Sequence, residues 1–147
     1  MSIRLFSTAL LAACLAKATA QTCPTLIWSD EFDGSNLNAD NWTPQIGDGC
    51  DISVDLCGWG NNEAQFYRSQ NIAVADGSLK INALRQTFGE KEFTSARIRS
   101  FEKFDIDLTQ PYVRIEARIK VPLGQGLWGA FWMMPSPEVL WPKGGEI

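Results

Sequence analysis

Within residues 113–121 the chain alternates strictly. Val113, Ile115, Ala117, Ile119 and Val121 are apolar, and Arg114, Glu116, Arg118 and Lys120 are charged. A helical stripe repeats every 3.6 residues, so a period of two fits a strand with one face buried and one in water. Such a strand cannot stand alone. It needs ladder neighbours for its backbone and a second layer for its apolar face.

Other segments read as neighbours of that kind. Ile72 and Val74 alternate, Asp76-Gly77 follows as a turn, and Leu79, Ile81 and Ala83 alternate again. This predicts a hairpin. Residues 26–32, 93–99 and 127–134 are further strand candidates, and no segment carries a convincing helical stripe. Turn residues recur between the runs at Asp33-Gly34, Gly47-Asp48-Gly49 and Gly124-Gln125-Gly126. Several short antiparallel strands at this spacing predict an all-β sandwich or jelly roll, with no repeat or linker to divide it.

The first twenty residues differ in kind. A short basic start ending at Arg4, an apolar run over residues 5–15 and Ala18-Thr19-Ala20 form the three parts of a secretory signal peptide. Residues 1–20 are therefore expected to be removed, leaving a domain over 21–147. A competing cut at Leu11-Ala12-Ala13-Cys14 would leave a lipid-anchored Cys14. Export makes the remaining cysteines disulfide candidates. Cys50 and Cys57 flank a short acidic insert and are expected to pair, which leaves Cys23 over.

Charge and chemistry narrow the function. Without residues 1–20 the chain has 11 Lys and Arg against 17 Asp and Glu, a net charge of −6. That sign disfavours nucleic acid and anionic membranes. There is no histidine, which excludes a Ser-His pair and histidine metal sites within these residues. Six tryptophans stand out at this length. Trp128, Trp132 and Trp141 are close in sequence, and Trp128 and Trp132 would share one face of a strand. Flat rings of this kind suit the C–H faces of sugars, although a single Trp132 is more simply a core residue. Glu146 follows two glycines at the start of an apparent new strand. On spacing alone it is an ordinary exposed acid.

The motifs taken together resemble glycoside hydrolase family 16, on its laminarinase side. Trp28-Ser29-Asp30-Glu31-Phe32-Asp33 resembles the family's opening strand. Gly58-Trp59-Gly60-Asn61-Asn62-Glu63 with Gln65-Phe66-Tyr67 resembles its GWGNNE segment. Phe93-Thr94-Ser95-Ala96-Arg97, Val113-Arg114-Ile115-Glu116-Ala117-Arg118, and Gly124-Gln125-Gly126-Leu127-Trp128 with Ala130-Phe131-Trp132-Met133 follow in the family's order. Trp141-Pro142 and Gly145-Glu146-Ile147 resemble the approach to its catalytic strand. The matches run through residues 25–147.

That resemblance implies a β-jelly roll with a glucan cleft. It implies that Glu146 is the nucleophile of a retaining mechanism, whose acid/base glutamate would follow beyond Ile147. The 147 residues alone are then expected to be inactive and poorly folded. The resemblance makes Asn61, Asn62 and Arg97 sugar-contacting polar groups and Trp128 and Trp141 stacking walls, with Trp132 beside them. On a regular strand only one of the two asparagines could face the cleft. The implied partner is β-1,3-glucan or mixed β-1,3/1,4-glucan, handled by a secreted monomer with no cofactor. Some family members hold a structural calcium, and Glu31 alone is too little to claim one. A transglycosylase of wall glucans and a non-catalytic glucan-binding protein are the alternatives on the same scaffold. Two departures from the pattern are Phe66 for a usual tyrosine and Ala64 for a usual leucine. Asn41-Trp42-Thr43 is a glycosylation sequon weakened by Pro44.

Overall fold

The computed structural model describes residues 25–107, 109, 113–139 and 141–147. The expected signal peptide, Cys14 and Cys23 lie outside the described residues.

The described chain is all-β, with two short 3₁₀ segments. Its strands are β1 (Thr43–Gln45), β2 (Gln65–Tyr67), β3 (Ile72–Val74), β4 (Leu79–Ile81), β5 (Leu84–Phe88), β6 (Lys91–Ser95) and β7 (Arg97–Arg99). The predicted hairpin is β3–β4, paired antiparallel from Ile72↔Ile81 to Val74↔Leu79. Ala75 and Ser78 exchange both backbone hydrogen bonds at 3.1 Å, and Asp76 and Gly77 between them both have positive φ, 56° and 63°. These are the left-handed conformations that a two-residue hairpin turn needs, and Asp-Gly tolerates them.

The candidate strand over 93–99 is real but split at Ala96. Before it, β6 lies between β5, antiparallel, and β2, parallel. After it, β7 pairs antiparallel with β1, from Thr43↔Arg99 to Gln45↔Arg97. One run of sequence thus serves two sheets, and Ala96, small and buried, sits at the crossing. Gly47, just after β1, and Tyr67 of β2 then join the two sheets by reciprocal backbone bonds of 3.0 and 2.9 Å.

What is most buried is polar. Asn71 is 1% and Thr94 0% exposed, beside the apolar Val74 and Ala96. Asn71 Nδ2 donates to Thr94 Oγ1 at 2.9 Å and to the Asn82 carbonyl at 2.8 Å. Asn82 returns a backbone bond to the Asn71 carbonyl at 2.9 Å, and Thr94 donates to Gln86 Oε1 at 3.1 Å. The buried groups are therefore satisfied, as a low-dielectric site requires.

Three expectations are corrected. Residues 113–121 run without a ladder, and Ile115, Ile119 and Val121 are exposed. Alternation marks which face a strand would bury, but the ladder needs a neighbour's N–H and C=O groups, and among the described residues none pairs with this segment. Residues 26–32 form no strand either. The Asp30 carboxylate accepts from the Phe32 N–H at 2.9 Å, and Phe32 has φ 55°, so the chain bends there. Trp28 instead stacks on Phe104, with centroids 5.3 Å apart, and meets Trp42 edge-on at 5.6 Å. Residues 127–134 form no strand, although Met133 exchanges backbone bonds with Ile147. No helix among the described residues is long and apolar enough to cross a membrane.

Candidate active site

Strand β2 projects Gln65 and Tyr67 to one face, because side chains repeat every second residue. Both meet Glu63: Tyr67 Oη and Gln65 Nε2 each donate to Glu63 Oε2 at 2.5 Å. Burial and the Glu63 carboxylate together push the Tyr67 phenol well above its ordinary range. Phe66, on the other face, packs against Phe88 at 4.9 Å, so the Tyr-to-Phe departure falls where an apolar ring is used.

Arg97 opens β7 and reaches the same cluster. Its guanidinium lies over two indoles, 4.5 Å from the Trp59 centroid and 4.9 Å from that of Trp132. Desolvation pushes its pKa down from the ordinary arginine value, while Tyr67 and Glu63 pull the other way. The result is a partly desolvated cation held between aromatic faces, a contact worth about 0.5–2 kcal/mol per ring.

Trp59 comes from an unusual loop. Cys50 and Cys57 form the expected disulfide, with Cα atoms 4.2 Å apart. Cys57 lies in the 3₁₀ segment Val54–Gly60, in which Gly58 and Trp59 are both left-handed at φ 62° and 52°. Trp59 is anchored by its N–H to the Asp48 carbonyl at 3.2 Å and its indole N–H to the Gly47 carbonyl at 3.4 Å. Its ring lies 5.7 Å from that of Tyr67.

Glu146 is placed by its neighbour. Ile147 and Met133 exchange backbone bonds at 2.8 and 3.2 Å. In such a pair the partners point to the same side and the residues flanking them point to the other. Glu146, Trp132 and Met134 therefore share a face. The segment reaches this position through a turn in which the Gly145 N–H donates to the Pro142 carbonyl at 3.1 Å.

Of the residues expected at a glucan cleft, the structure brings Arg97 and Trp132 into contact and puts Glu146 on the Trp132 face. Trp128 and Trp141 are 70% and 68% exposed and make no ring contact among the described residues. Asn61 and Asn62 are not on a regular strand. They form the turn between the 3₁₀ segment and β2, with Asn62 left-handed at φ 58°, so strand alternation does not divide them. Both are exposed.

Sequence reasoning passed over Trp59, Glu63 and Tyr67, though all lie in the GWGNNE-x-Q-F-Y stretch it quoted. Asp30 was also missed. Burial works against its charge, but donation from Asn41, the Phe32 N–H and the Trp42 indole outweighs this and holds the carboxyl below its usual range. Asn41 Nδ2 to Asp30 Oδ2 is 2.8 Å. No group of three metal-binding side chains converges among the described residues.

No family model matches the chain. Individual proteins do. A glucan endo-1,3-beta-glucosidase of Cryptopygus antarcticus is 40% identical across 94% of this chain and 48% of its own length. The crystal structure of the laminarinase catalytic domain from Thermotoga maritima superposes with a TM-score of 0.74 at 37% identity, covering 83% of this chain and 49% of that one. The chain is similar to laminarinases along most of its own length. The laminarinase from Flavobacterium sp. UMI-01 agrees, with a TM-score of 0.71 at 40% identity over 83% of this chain and 49% of that one. These matches carry the jelly-roll class that the family 16 resemblance implied. The chain spans about half the length of the laminarinases it matches.

Proposed function

We propose that the full-length protein is a secreted, monomeric endo-β-1,3-glucanase acting by a retaining mechanism. One observation carries this reading. Pairing of Ile147 with Met133 puts Glu146 on the face of Trp132, whose indole covers the Arg97 guanidinium. A carboxylate, an aromatic platform and a desolvated cation are the parts needed to attack, stack and orient a sugar ring.

In this reading Glu146 attacks the anomeric carbon as the bond to the leaving sugar oxygen breaks. A second carboxyl, the expected acid/base partner, gives that oxygen its proton. The covalent glycosyl-enzyme then yields to water activated by the same second group, and the β configuration is restored. Arg97 and the Asn61–Asn62 turn bind hydroxyls, and Trp128, Trp132 and Trp141 offer ring faces. If a sugar rather than water resolves the intermediate, the same site transfers glucan.

The test is incubation of the full-length protein with laminarin, with proton NMR of the first products. Short oligosaccharides released with a β-anomeric reducing end support the proposal. Initial α-anomer release rules out retention. Tight laminarin binding with no new reducing ends assigns the protein to glucan recognition instead.

A further inference from the structure

Trp59 has no assigned part in the site just proposed, yet its conformation is costly and heavily supported. A bulky residue at φ 52° lies in the left-handed region, which costs roughly 1–3 kcal/mol and persists only when its surroundings enforce it. Here they do. Its N–H and indole N–H are bonded to Asp48 and Gly47, and Tyr67 supports its ring. The preceding loop is closed by Cys50–Cys57 and sits directly on Gly49, where a Cβ would lie 2.0 Å from the Leu56 carbonyl oxygen. The following turn is fixed as Glu63 N–H donates to the Gly58 carbonyl at 3.0 Å. Lys91 Nζ ties both sides, 3.5 Å from Asp48 Oδ2 and 3.5 Å from the Glu63 carbonyl.

Held this way, the indole meets the Arg97 guanidinium, 4.5 Å from its ring centroid. A guanidinium on a long side chain has many rotamers, and holding it in one costs entropy. Two aromatic faces remove that freedom before ligand arrives, which lowers the ordering cost of binding.

We propose that Trp59 is a positioning residue: the Cys50–Cys57 loop holds its indole so that the Arg97 guanidinium is kept against Trp132, oriented toward the bound sugar. This rests on the glucanase reading for its ligand. The Trp59–Arg97 link itself does not.

The test uses the full-length protein and two readouts. Trp59→Leu should raise the laminarin KM roughly tenfold, the size of a desolvated cation–π contact, with kcat nearly unchanged. Trp59→Phe should recover most of that loss. In an Arg97→Met background, Trp59→Leu should add little. Independently, the Arg97 side-chain protons should show upfield ring-current shifts by NMR. These should relax in Trp59→Leu and in the paired Cys50→Ser, Cys57→Ser variant. An unchanged KM, full additivity with Arg97→Met, or ring-current shifts that survive Trp59→Leu each overturn the proposal. If the wild type neither binds nor cuts laminarin, the glucanase reading fails. The NMR shifts then decide alone whether Trp59 and the disulfide loop position Arg97.

Discussion

The Tyr67 hydroxyl donates to Glu63 Oε2 at 2.5 Å, and Gln65 donates to the same oxygen at 2.5 Å. One carboxylate oxygen thus locks the inner face of β2 to the turn before it. The bond also sets the ionisation of the phenol. Burial and the adjacent negative charge both disfavour a phenolate, so the folded-state pKa is raised above the ordinary value of 10.0.

That shift predicts an alkaline weakness. A group with a raised folded pKa contributes stability that is fully present below its unfolded pKa and is lost as pH rises through the folded one. For Tyr67 the loss begins near pH 10, where the unfolded chain releases the proton and the folded one keeps it. Urea denaturation of the full-length protein should show stability falling above that pH. The fall should be smaller in Tyr67→Phe. Equal slopes in the two proteins would remove Tyr67 from the account.

Asn71 and Thr94 predict a second weakness. Each is essentially sealed from solvent, and Asn71 bridges the β3–β4 hairpin to β6 through the 2.9 Å bond to Thr94. Asn71→Ala leaves the Asn82 carbonyl and Thr94 hydroxyl without that donor. The expected cost is roughly 1–3 kcal/mol for the groups stranded by the change. Thr94→Val should cost a similar amount, and the double variant less than the sum of the two, because the singles break the same bond. Denaturant midpoints measure all three. Strict additivity would show that the two side chains do not act together.

How much of this was legible before the structure depended on range. The β3–β4 hairpin was, because alternation and Asp76-Gly77 settle it within a dozen residues of sequence. The alternation over 113–121 correctly marks an apolar face, but a ladder is made with a distant neighbour, and no local pattern names that neighbour. The split of 93–99 at Ala96 is likewise invisible locally, since both halves look extended and only their partners differ. At the site, Arg97 was named through family resemblance and Trp132 through the tryptophan spacing. Their contact, 35 positions apart, is long-range, and the placing of Trp59 depends on left-handed turns at Gly58 and Trp59 that a tryptophan does not advertise. The Asn61–Asn62 pair sits in the turn that follows, so the division that a regular strand would impose on it does not apply.

The disulfide gives a stability prediction separate from its part in positioning Trp59. Cys50 and Cys57 are seven residues apart, so the bond closes a short loop in the unfolded chain. Loop-closure entropy for that span is worth about 2–3 kcal/mol, with native strain subtracting from it. The paired Cys50→Ser, Cys57→Ser variant should therefore unfold at lower temperature without losing its β-rich circular dichroism. An unchanged melting temperature would show that the loop is held by its packing on Gly49 and not by the bond.

Glu146 gives the sharpest functional prediction. In the proposed retaining mechanism it attacks the anomeric carbon, a step with no substitute there. Glu146→Gln keeps shape and hydrogen bonding but removes the nucleophilic charge. It should lower kcat on laminarin by at least roughly a thousandfold while leaving KM within a few-fold, the pattern of a group that acts in the transition state. Glu146→Ala opens space beside the anomeric carbon. Azide added to it, with an activated β-glucoside as substrate, should restore turnover and give the α-glucosyl azide, because a small external anion attacks where the carboxylate did. Rescue with the β-azide would mean that Glu146 serves as the acid/base, and the nucleophile must then be sought elsewhere. A Glu146→Gln protein with near-normal kcat would withdraw Glu146 from the chemistry and leave it the exposed acid that spacing alone suggests.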